Sequence, residues 1–352
     1  MEGKTFAERL INWYTERKRD LPWRKTKDPY PVWLSEIILQ QTRVDQGLPY
    51  WERFIETFPT ISDLANAKED QVLRLWQGLG YYSRARNLHA TAKHIAVELK
   101  GIFPNTYSEI LDLKGVGPYT AAALASICYD EPKPVVDGNV FRFASRYFGI
   151  REDISKAKSR KVFEEILSNE ISKTAPGTFN QAMMEYGATI CTPKAQCSNC
   201  EFHSDCFAYQ NDLQKSLPLK TGKTKVRERR FHYLVFKSGN NFLLNQRIDK
   251  DVWGGLFDFF LLEGDHSIEN ILEKTSESFQ MDCPILDEVT GPMKHILSHQ
   301  KISASFYQII ISDKDRSNVL ENSSLNSYSI EEMLNLPKPK LIVNYLHKVG
   351  IK

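Results

Sequence analysis

The chain is 352 residues long, enough for two domains of ordinary size, and its 41% hydrophobic and 26% charged residues are the composition of a soluble globular protein. No apolar run reaches the length of a membrane span, which excludes a helical membrane protein. A formal net charge of +2 neither supports nor excludes a nucleic-acid partner, since a binder needs its basic residues on one face rather than in bulk.

The opening residues, Met1 to Arg9, carry no signal-peptide core, so a cytoplasmic, reducing location is expected. There, six cysteines are ligands or buried thiols rather than disulfides.

Residues 1 to 210 read as helical. Phe6, Leu10 and Trp13 fall at helical spacing, as do Leu64, Val72, Leu75 and Leu79 with small gaps. Prolines at 22, 29, 31, 59, 104, 132 and 134 punctuate the helices, which makes a compact all-α unit. In Pro31-Val32-Trp33-Leu34-Ser35-Glu36-Ile37-Ile38-Leu39-Gln40-Gln41-Thr42, Glu36 is the sole acid, set early in a helix among apolar residues. The positive helix end lowers its pKa and burial raises it; work as a general acid requires burial to prevail.

Leu113-Lys114-Gly115-Val116-Gly117-Pro118-Tyr119-Thr120-Ala121 reads as a tight hairpin between two helices. Its glycines admit positive φ and leave no side chain between backbone and ligand, and its proline suits the first turn of a helix. Bare amides of Gly115, Val116 and Gly117 then form an anion site, with phosphate the obvious anion. Asp137, before Gly138, reads on its own as a turn former or helix N-cap.

Cys191, Cys197, Cys200 and Cys206 follow with the spacing C-x5-C-x2-C-x5-C. Four thiolates so close together ligate a [4Fe–4S] cluster or a tetrahedral zinc. Cys128 and Cys283 stand apart as small core residues. Residues 211–230 are polar and basic and read as an interdomain linker, either a solvated charge run or a strap along phosphates. Strand signals begin at Phe231-His232-Tyr233-Leu234-Val235-Phe236 and Asn241-Phe242-Leu243-Leu244-Asn245, a hairpin, and continue at residues 301–309. Helical patterns near 267–279 and 330–348 make residues 231–352 an α+β domain.

Five ordered segments carry a closer resemblance: Trp33 to Thr42; Gly78-Leu79-Gly80-Tyr81-Tyr82-Ser83-Arg84-Ala85-Arg86-Asn87-Leu88; the hairpin; Val136-Asp137-Gly138-Asn139-Val140; and Phe179-Asn180-Gln181-Ala182-Met183-Met184. Together they resemble the adenine DNA glycosylase (MutY-type) family of the helix-hairpin-helix superfamily. The resemblance implies a multidomain fold: an all-α helix-hairpin-helix glycosylase domain with an iron–sulfur cluster loop, then a C-terminal α+β Nudix-like domain. It divides the helical half into a six-helix barrel over about 25–130 and an iron–sulfur part from 1–24 and 131–210.

The implied activity is monofunctional removal of adenine mispaired with 8-oxoguanine or guanine in double-stranded DNA, by a monomer that flips the base from the stack. A bacterial member would sit at the nucleoid. Glu36 would protonate the adenine ring, and Asp137, kept ionised, would stabilise the oxocarbenium-like sugar or trap it covalently before water attacks, following the two-carboxylate logic of glycoside hydrolysis. Asn139 and Tyr119 match positions near the sugar and the acids. Trp23, Arg24 and Gln181 match the adenine pocket, and Gln41 and Tyr81 match residues that wedge into the stack. Relatives resembling endonuclease III have a Schiff-base lysine where this chain has Tyr119, and a tyrosine cannot form an imine.

The resemblance also implies a [4Fe–4S] cluster on the four cysteines, although the family usually has one more residue in the first gap. Asp251-Val252-Trp253-Gly254-Gly255-Leu256-Phe257-Asp258-Phe259 and Lys294-His295-Ile296-Leu297-Ser298-His299-Gln300 look like the family's lesion-reading domain. No Arg-Glu-x-x-Glu-Glu arrangement occurs between 225 and 352, so Nudix hydrolysis is not expected. Leu297, Ser298 and His299 match the lesion-reading loop, with leucine in place of the usual phenylalanine; by themselves Ser298 and His299 read as ordinary hairpin residues. Two other readings stand beside this one: a bifunctional glycosylase/lyase resembling endonuclease III, and a non-catalytic, metal-containing DNA-binding protein.

Overall fold

The computed structural model describes residues 4–222, 226–248, 252–281 and 284–351. Cys283, Asp251 and two lysines of the basic stretch, Lys223 and Lys225, lie outside the described residues. The chain divides into two compact units: Met1–Asn66 with Asn87–Gly222, and Ala67–Arg86 with Lys223–Lys352. An expected boundary near residue 210 keeps 67–86 with the helices, whereas the structure groups them with the C-terminal residues. Gln77 Oε1 accepts from the Lys338 backbone amide, and Arg86 donates to the Gly254 carbonyl.

The first unit is helical, as its periodicity predicts. Helix α1, Phe6–Arg17, starts from a capping box in which Thr5 and Glu8 each accept the other's backbone amide. Its buried face holds Phe6, Leu10, Trp13 and Tyr14. Helix α2, Pro29–Ile38, is launched by Asp28, whose carboxylate accepts from the Tyr30 amide at 3.0 Å, with proline at the first turn. From Val32 to Ile38 every residue is buried, Glu36 among them.

Helices α3, Tyr107–Leu111, and α4, Pro118–Tyr129, flank the hairpin. Gly115 sits at φ +78°, and a Cβ there would meet the Asn87 side chain at 2.6 Å, so the turn requires glycine. No side chain caps α4, whose N-cap is Gly117. Helix α5, Gly138–Phe148, has Asp137 as its N-cap. Helix α6, Pro176–Thr189, packs against α1, α4 and α5. Its approach to α5 is close enough that a Cβ on Gly187 would lie 2.6 Å from the Asn139 carbonyl oxygen.

The basic stretch 211–230 is tied down at both ends. Ile154 N–H donates to the Leu219 carbonyl at 2.9 Å, and Thr221 hydrogen-bonds Asp153. Strand β1, Arg227–Ser238, begins four residues before the first expected strand residue, Phe231, because Arg227 is already in parallel register with Gln300. Arg229 is buried, donating to Glu263 at 2.7 Å and to Gln300 at 3.0 Å, and Arg230 pairs with Asp265. These two arginines are therefore committed to carboxylates within the second unit rather than forming part of a phosphate strap.

The sheet of the second unit runs β3-β2-β1-β6-β5, with β4 also on β1 and β7 also on β2. Its strands are β1, then β2 Asn241–Gln246, β3 Phe257–Asp258, β4 Phe260–Glu263, β5 Ile285–Ile296, β6 Gln300–Ile310 and β7 Asn326–Ser329. The β1–β6 pair is parallel and the other pairs are antiparallel. Helix α7, Ile268–Phe279, contributes Ile271 and Phe279 to a core with Leu234, Phe236, Leu243 and Ile309. Helix α8, Lys340–Lys348, places Tyr345 on Phe306, ring centroids 4.1 Å apart and nearly coplanar. Leu297, Ser298 and His299 form the turn between β5 and β6, closed by a 2.8 Å bond from Leu297 N–H to the Gln300 carbonyl. Among the described residues no helix is long and apolar enough to cross a membrane.

Candidate active site

A cavity of about 650 Å³ opens in the helical unit, walled by α2, the start of α4, the start of α5 and one face of α6. Eight residues singled out from sequence line it: Glu36, Tyr119, Asp137 and Asn139, and with them Trp23, Arg24, Gln41 and Gln181. Gly117 lines it too, whereas Gly115 and Val116 do not, and Val116 is buried.

Burial settles the contest over Glu36. Desolvation is the largest influence and, with the nearby Asp137 charge, outweighs the Tyr119 hydrogen bond and the Arg24 charge, lifting the carboxyl from 4.5 to about 7. Glu36 therefore keeps a proton to give near neutral pH. Asp137 is both an N-cap and a cavity wall. Its Oδ1 accepts from the Val140 amide at 2.7 Å and its Oδ2 from Asn139 Nδ2 at 3.0 Å. Burial raises its pKa, and those hydrogen bonds, with the Arg142 charge, pull against the rise. Arg142 in turn donates to Asn139 Oδ1 at 2.9 Å, which fixes the amide with its nitrogen toward Asp137.

Tyr119 lies between the acids and α6. Its hydroxyl is 3.1 Å from Met184 Sδ and within hydrogen-bonding reach of the Glu36 carboxyl. Burial and the charges of Glu36 and Asp137 hold the phenol far above its ordinary pKa, so it remains a donor. With Glu36 protonated, the hydroxyl can accept from the carboxyl while donating to the thioether; with Glu36 ionised, its proton turns to the carboxylate.

Trp23 is buried and tilted against Trp51. Arg24 borders the cavity with its guanidinium engaged: Nη2 donates to Glu185 Oε2 at 2.7 Å and Nη1 to the Arg19 carbonyl at 3.1 Å. Glu185 also takes both ends of Arg19, at 2.7 and 2.6 Å. Burial opposes its charge, but the two arginines overcome that and bring the carboxyl down to about 2. Sequence reasoning missed Glu185, Arg19, Met184 and Tyr14. Glu185 lies one helical turn beyond Gln181, a spacing that puts the two on one face and could have revealed it.

Within the second unit, Tyr81, Leu297, Ser298 and His299 line another cavity, of about 620 Å³. Tyr81 has a positive φ of 48°, and its hydroxyl shares a hydrogen bond with Ser298 Oγ. Ser298 Oγ also lies 3.3 Å from His299 Nδ1.

Cys191, Cys197, Cys200 and Cys206 are free thiols that border one small cavity behind α5 and α6. Arg146, nearly fully buried, points Nη1 at Cys191 Sγ from 3.5 Å, and the Tyr186 hydroxyl is 3.0 Å from Cys200 Sγ. A buried guanidinium and a hydroxyl aimed at sulfur suit an anionic, thiolate-ligated group. Among the described residues no three His, Cys, Asp or Glu side chains are gathered tightly enough to hold a single metal ion. Cys128, apart from this group, is half-buried, and burial pushes its thiol up to about 12.

A helical hairpin beside the buried Glu36 and the half-buried Asp137 defines a helix-hairpin-helix protein of base-excision type. In agreement, residues 34–169 match the family model described as HhH-GPD superfamily base excision DNA repair protein, and residues 232–348 match that of the NUDIX domain. A solved thermostable thymine-DNA glycosylase is 26% identical with a TM-score of 0.53, the match covering 58% of this chain and 95% of that one. Adenine DNA glycosylase of Buchnera aphidicola subsp. Baizongia pistaciae is 34% identical over 345 residues, 96% of this chain and 93% of that protein. The adenine DNA glycosylase of Buchnera aphidicola subsp. Acyrthosiphon pisum is 39% identical over 256 residues, 72% and 73% of the two chains. The chain belongs to the adenine DNA glycosylase family.

Proposed function

We propose that this protein excises adenine paired with 8-oxoguanine or guanine from double-stranded DNA, as a monofunctional glycosylase acting as a monomer in base excision repair. The observation that carries the reading is the pairing, in one cavity, of Glu36 raised to about 7 with an Asp137 held by two hydrogen-bond donors. One carboxyl keeps a proton while the other is supplied with contacts that favour its anion. The flipped adenine enters this cavity, with Trp23 and Gln181 along its faces and edges. Glu36 delivers its proton to a ring nitrogen as the bond from the base to the sugar carbon breaks. Asp137, oriented by Asn139, stabilises the cationic sugar until water adds. The products are free adenine and an abasic site.

Tyr119 supports base removal without strand cutting, because a phenol forms no imine with the opened sugar and Lys114 is exposed on the hairpin. The uncapped start of α4 at Gly117 supports phosphate binding, together with the bare turn of Gly115 and Val116. We assign Gln41 and Tyr81 to the gap left by the flipped base. Leu297, Ser298 and His299 read the opposite base, the Ser298 hydroxyl being able to donate or accept. In this reading the glycosylase domain covers 1–210 and the lesion-reading domain 231–352, with residues 67–86 of the first grouped beside the second.

Cys191, Cys197, Cys200 and Cys206 hold a [4Fe–4S] cluster in this reading, supported by the sulfur-directed Arg146 and Tyr186. When bound, the cluster ties the loop down structurally and takes no part in the chemistry. Free thiols fit a reducing, cytoplasmic compartment. Glu36→Gln tests the assignment: it should abolish adenine release while duplex binding survives, and release at the wild-type rate would overturn it.

A further inference from the structure

Tyr14 lies outside the acid pair, on α1, and is almost fully buried. Its hydroxyl donates to Gln181 Oε1 at 2.6 Å, across 167 positions of sequence. Burial pushes the phenol up to about 12, so the proton stays on the oxygen throughout the neutral range. The ring is wedged in place, with the Arg24 guanidinium 5.4 Å from its centroid and Lys18 Nζ at 5.3 Å. Arg24 is itself pinned by Glu185, four residues beyond Gln181 on α6.

A carboxamide has two different ends, an acceptor oxygen and a donor nitrogen. Tyr14 occupies the acceptor end. In the opposite orientation Nε2 would donate to the phenol oxygen and the hydroxyl proton would lose its Gln181 acceptor, a cost in a buried site. Among the described residues Gln181 Nε2 has no hydrogen-bond partner, and Gln181 lines the cavity.

We propose that Tyr14 is a positioning residue that holds the Gln181 carboxamide with its nitrogen toward the base, so that the cavity selects a base edge offering an unprotonated ring nitrogen. This rests on the adenine-excising reading above and assigns that activity a determinant of base choice. Adenine has such nitrogens on every edge, whereas N1 of a 6-oxopurine carries a hydrogen. Without the Tyr14 hydroxyl the amide turns over freely, and part of the population presents its oxygen to an acceptor. Two lone pairs then face each other.

The test is a double-mutant cycle on single-turnover adenine release at saturating duplex, with adenine opposite 8-oxoguanine. Tyr14→Phe keeps the ring and its cation contacts and removes only the hydroxyl. It should slow release about threefold to tenfold, the worth of one ordinary hydrogen bond. Gln181→Ala should be slower still, and Tyr14→Phe/Gln181→Ala no slower than Gln181→Ala, since Tyr14 acts only through the amide. Gln181→Glu, with acceptors at both ends, should be slower than Gln181→Ala. A hydroxyl that merely supports packing predicts the reverse: losses that add in the double variant, with a lowered Tm in Tyr14→Phe. Additive losses, an undiminished Tyr14→Phe, or a Gln181→Glu as fast as wild type each overturn the positioning role while adenine release by wild type persists. Wild-type protein that releases no adenine overturns the activity itself, and the proposal with it.

Discussion

Asn139 Nδ2 donates to Asp137 Oδ2 over 3.0 Å, while Arg142 at 2.9 Å holds the oxygen end of the same amide. Asp137 is thus bonded to a donor that is itself oriented. Burial raises the Asp137 carboxyl, and this bond is one of the forces holding it down. Asn139→Ala should let the carboxyl rise further, so that more of it is protonated at a given pH. Base release should fall roughly tenfold to a hundredfold, the worth of a hydrogen bond to a charged group. Its acid-side decline should also move to higher pH. A pH–rate profile of the variant checks both.

Glu36 works in the opposite sense. In the proposed reaction Glu36 acts in its protonated form, so release should fall as pH rises through about 7. The same shift has a stability consequence. The folded-state pKa is raised from 4.5 to about 7, so the stabilisation is fully present below 4.5 and lost as pH rises through 7. By linkage the ionised form costs on the order of 3 kcal/mol at alkaline pH. Glu36→Gln should therefore melt higher than wild type at pH 8, and the gap should close below 4.5. Thermal melts at two pH values measure this.

Glu185, itself buried, holds the mostly buried Arg24 and the exposed Arg19 in a fork. Glu185→Ala leaves the mostly buried Arg24 without its counter-charge and should cost roughly 3 kcal/mol, read as a lowered denaturant midpoint. Here the folded-state pKa is depressed from 4.5 to about 2, so the stabilisation is present above 4.5 and lost as pH falls towards 2. Wild type should lose more stability over that window than the variant does.

If the four cysteines hold a cluster, protein purified without exposure to oxidants should contain roughly four irons and an equal amount of sulfide per chain. Cys200→Ala should lower both and reduce Tm. Protein carrying one zinc per chain would contradict the assignment.

The legible parts of this molecule were local ones. The hairpin could be read because Gly115, Gly117 and Pro118 carry their backbone demands within a few residues. The β1–β2 hairpin and strand β6 could be read from alternation and turn residues, whereas β5, Ile285–Ile296, was not read as a strand. Other features depend on partners distant in sequence. Whether Glu36 is raised or lowered depends on what packs over α2, which its own segment does not contain. Asp137 reads as a helix cap and is one, but its second role emerges only where α4, α5 and α6 meet. Arg24 is marked as a pocket residue only by the family resemblance, and its engagement by Glu185 joins residues 161 positions apart. Arg229 and Arg230 resemble a solvated basic run until β1 begins at Arg227 and brings Glu263 and Asp265 beside them.

In the proposed reaction Glu36 and Asp137 remove adenine and Tyr119 leaves the strand uncut. The most direct measurement incubates the wild-type protein with a duplex holding adenine opposite 8-oxoguanine, adds borohydride, and quantifies free adenine and any protein–DNA adduct. Free adenine in step with abasic sites, with no trapped adduct, is the predicted result. A strong adduct, or no adenine released, would contradict it.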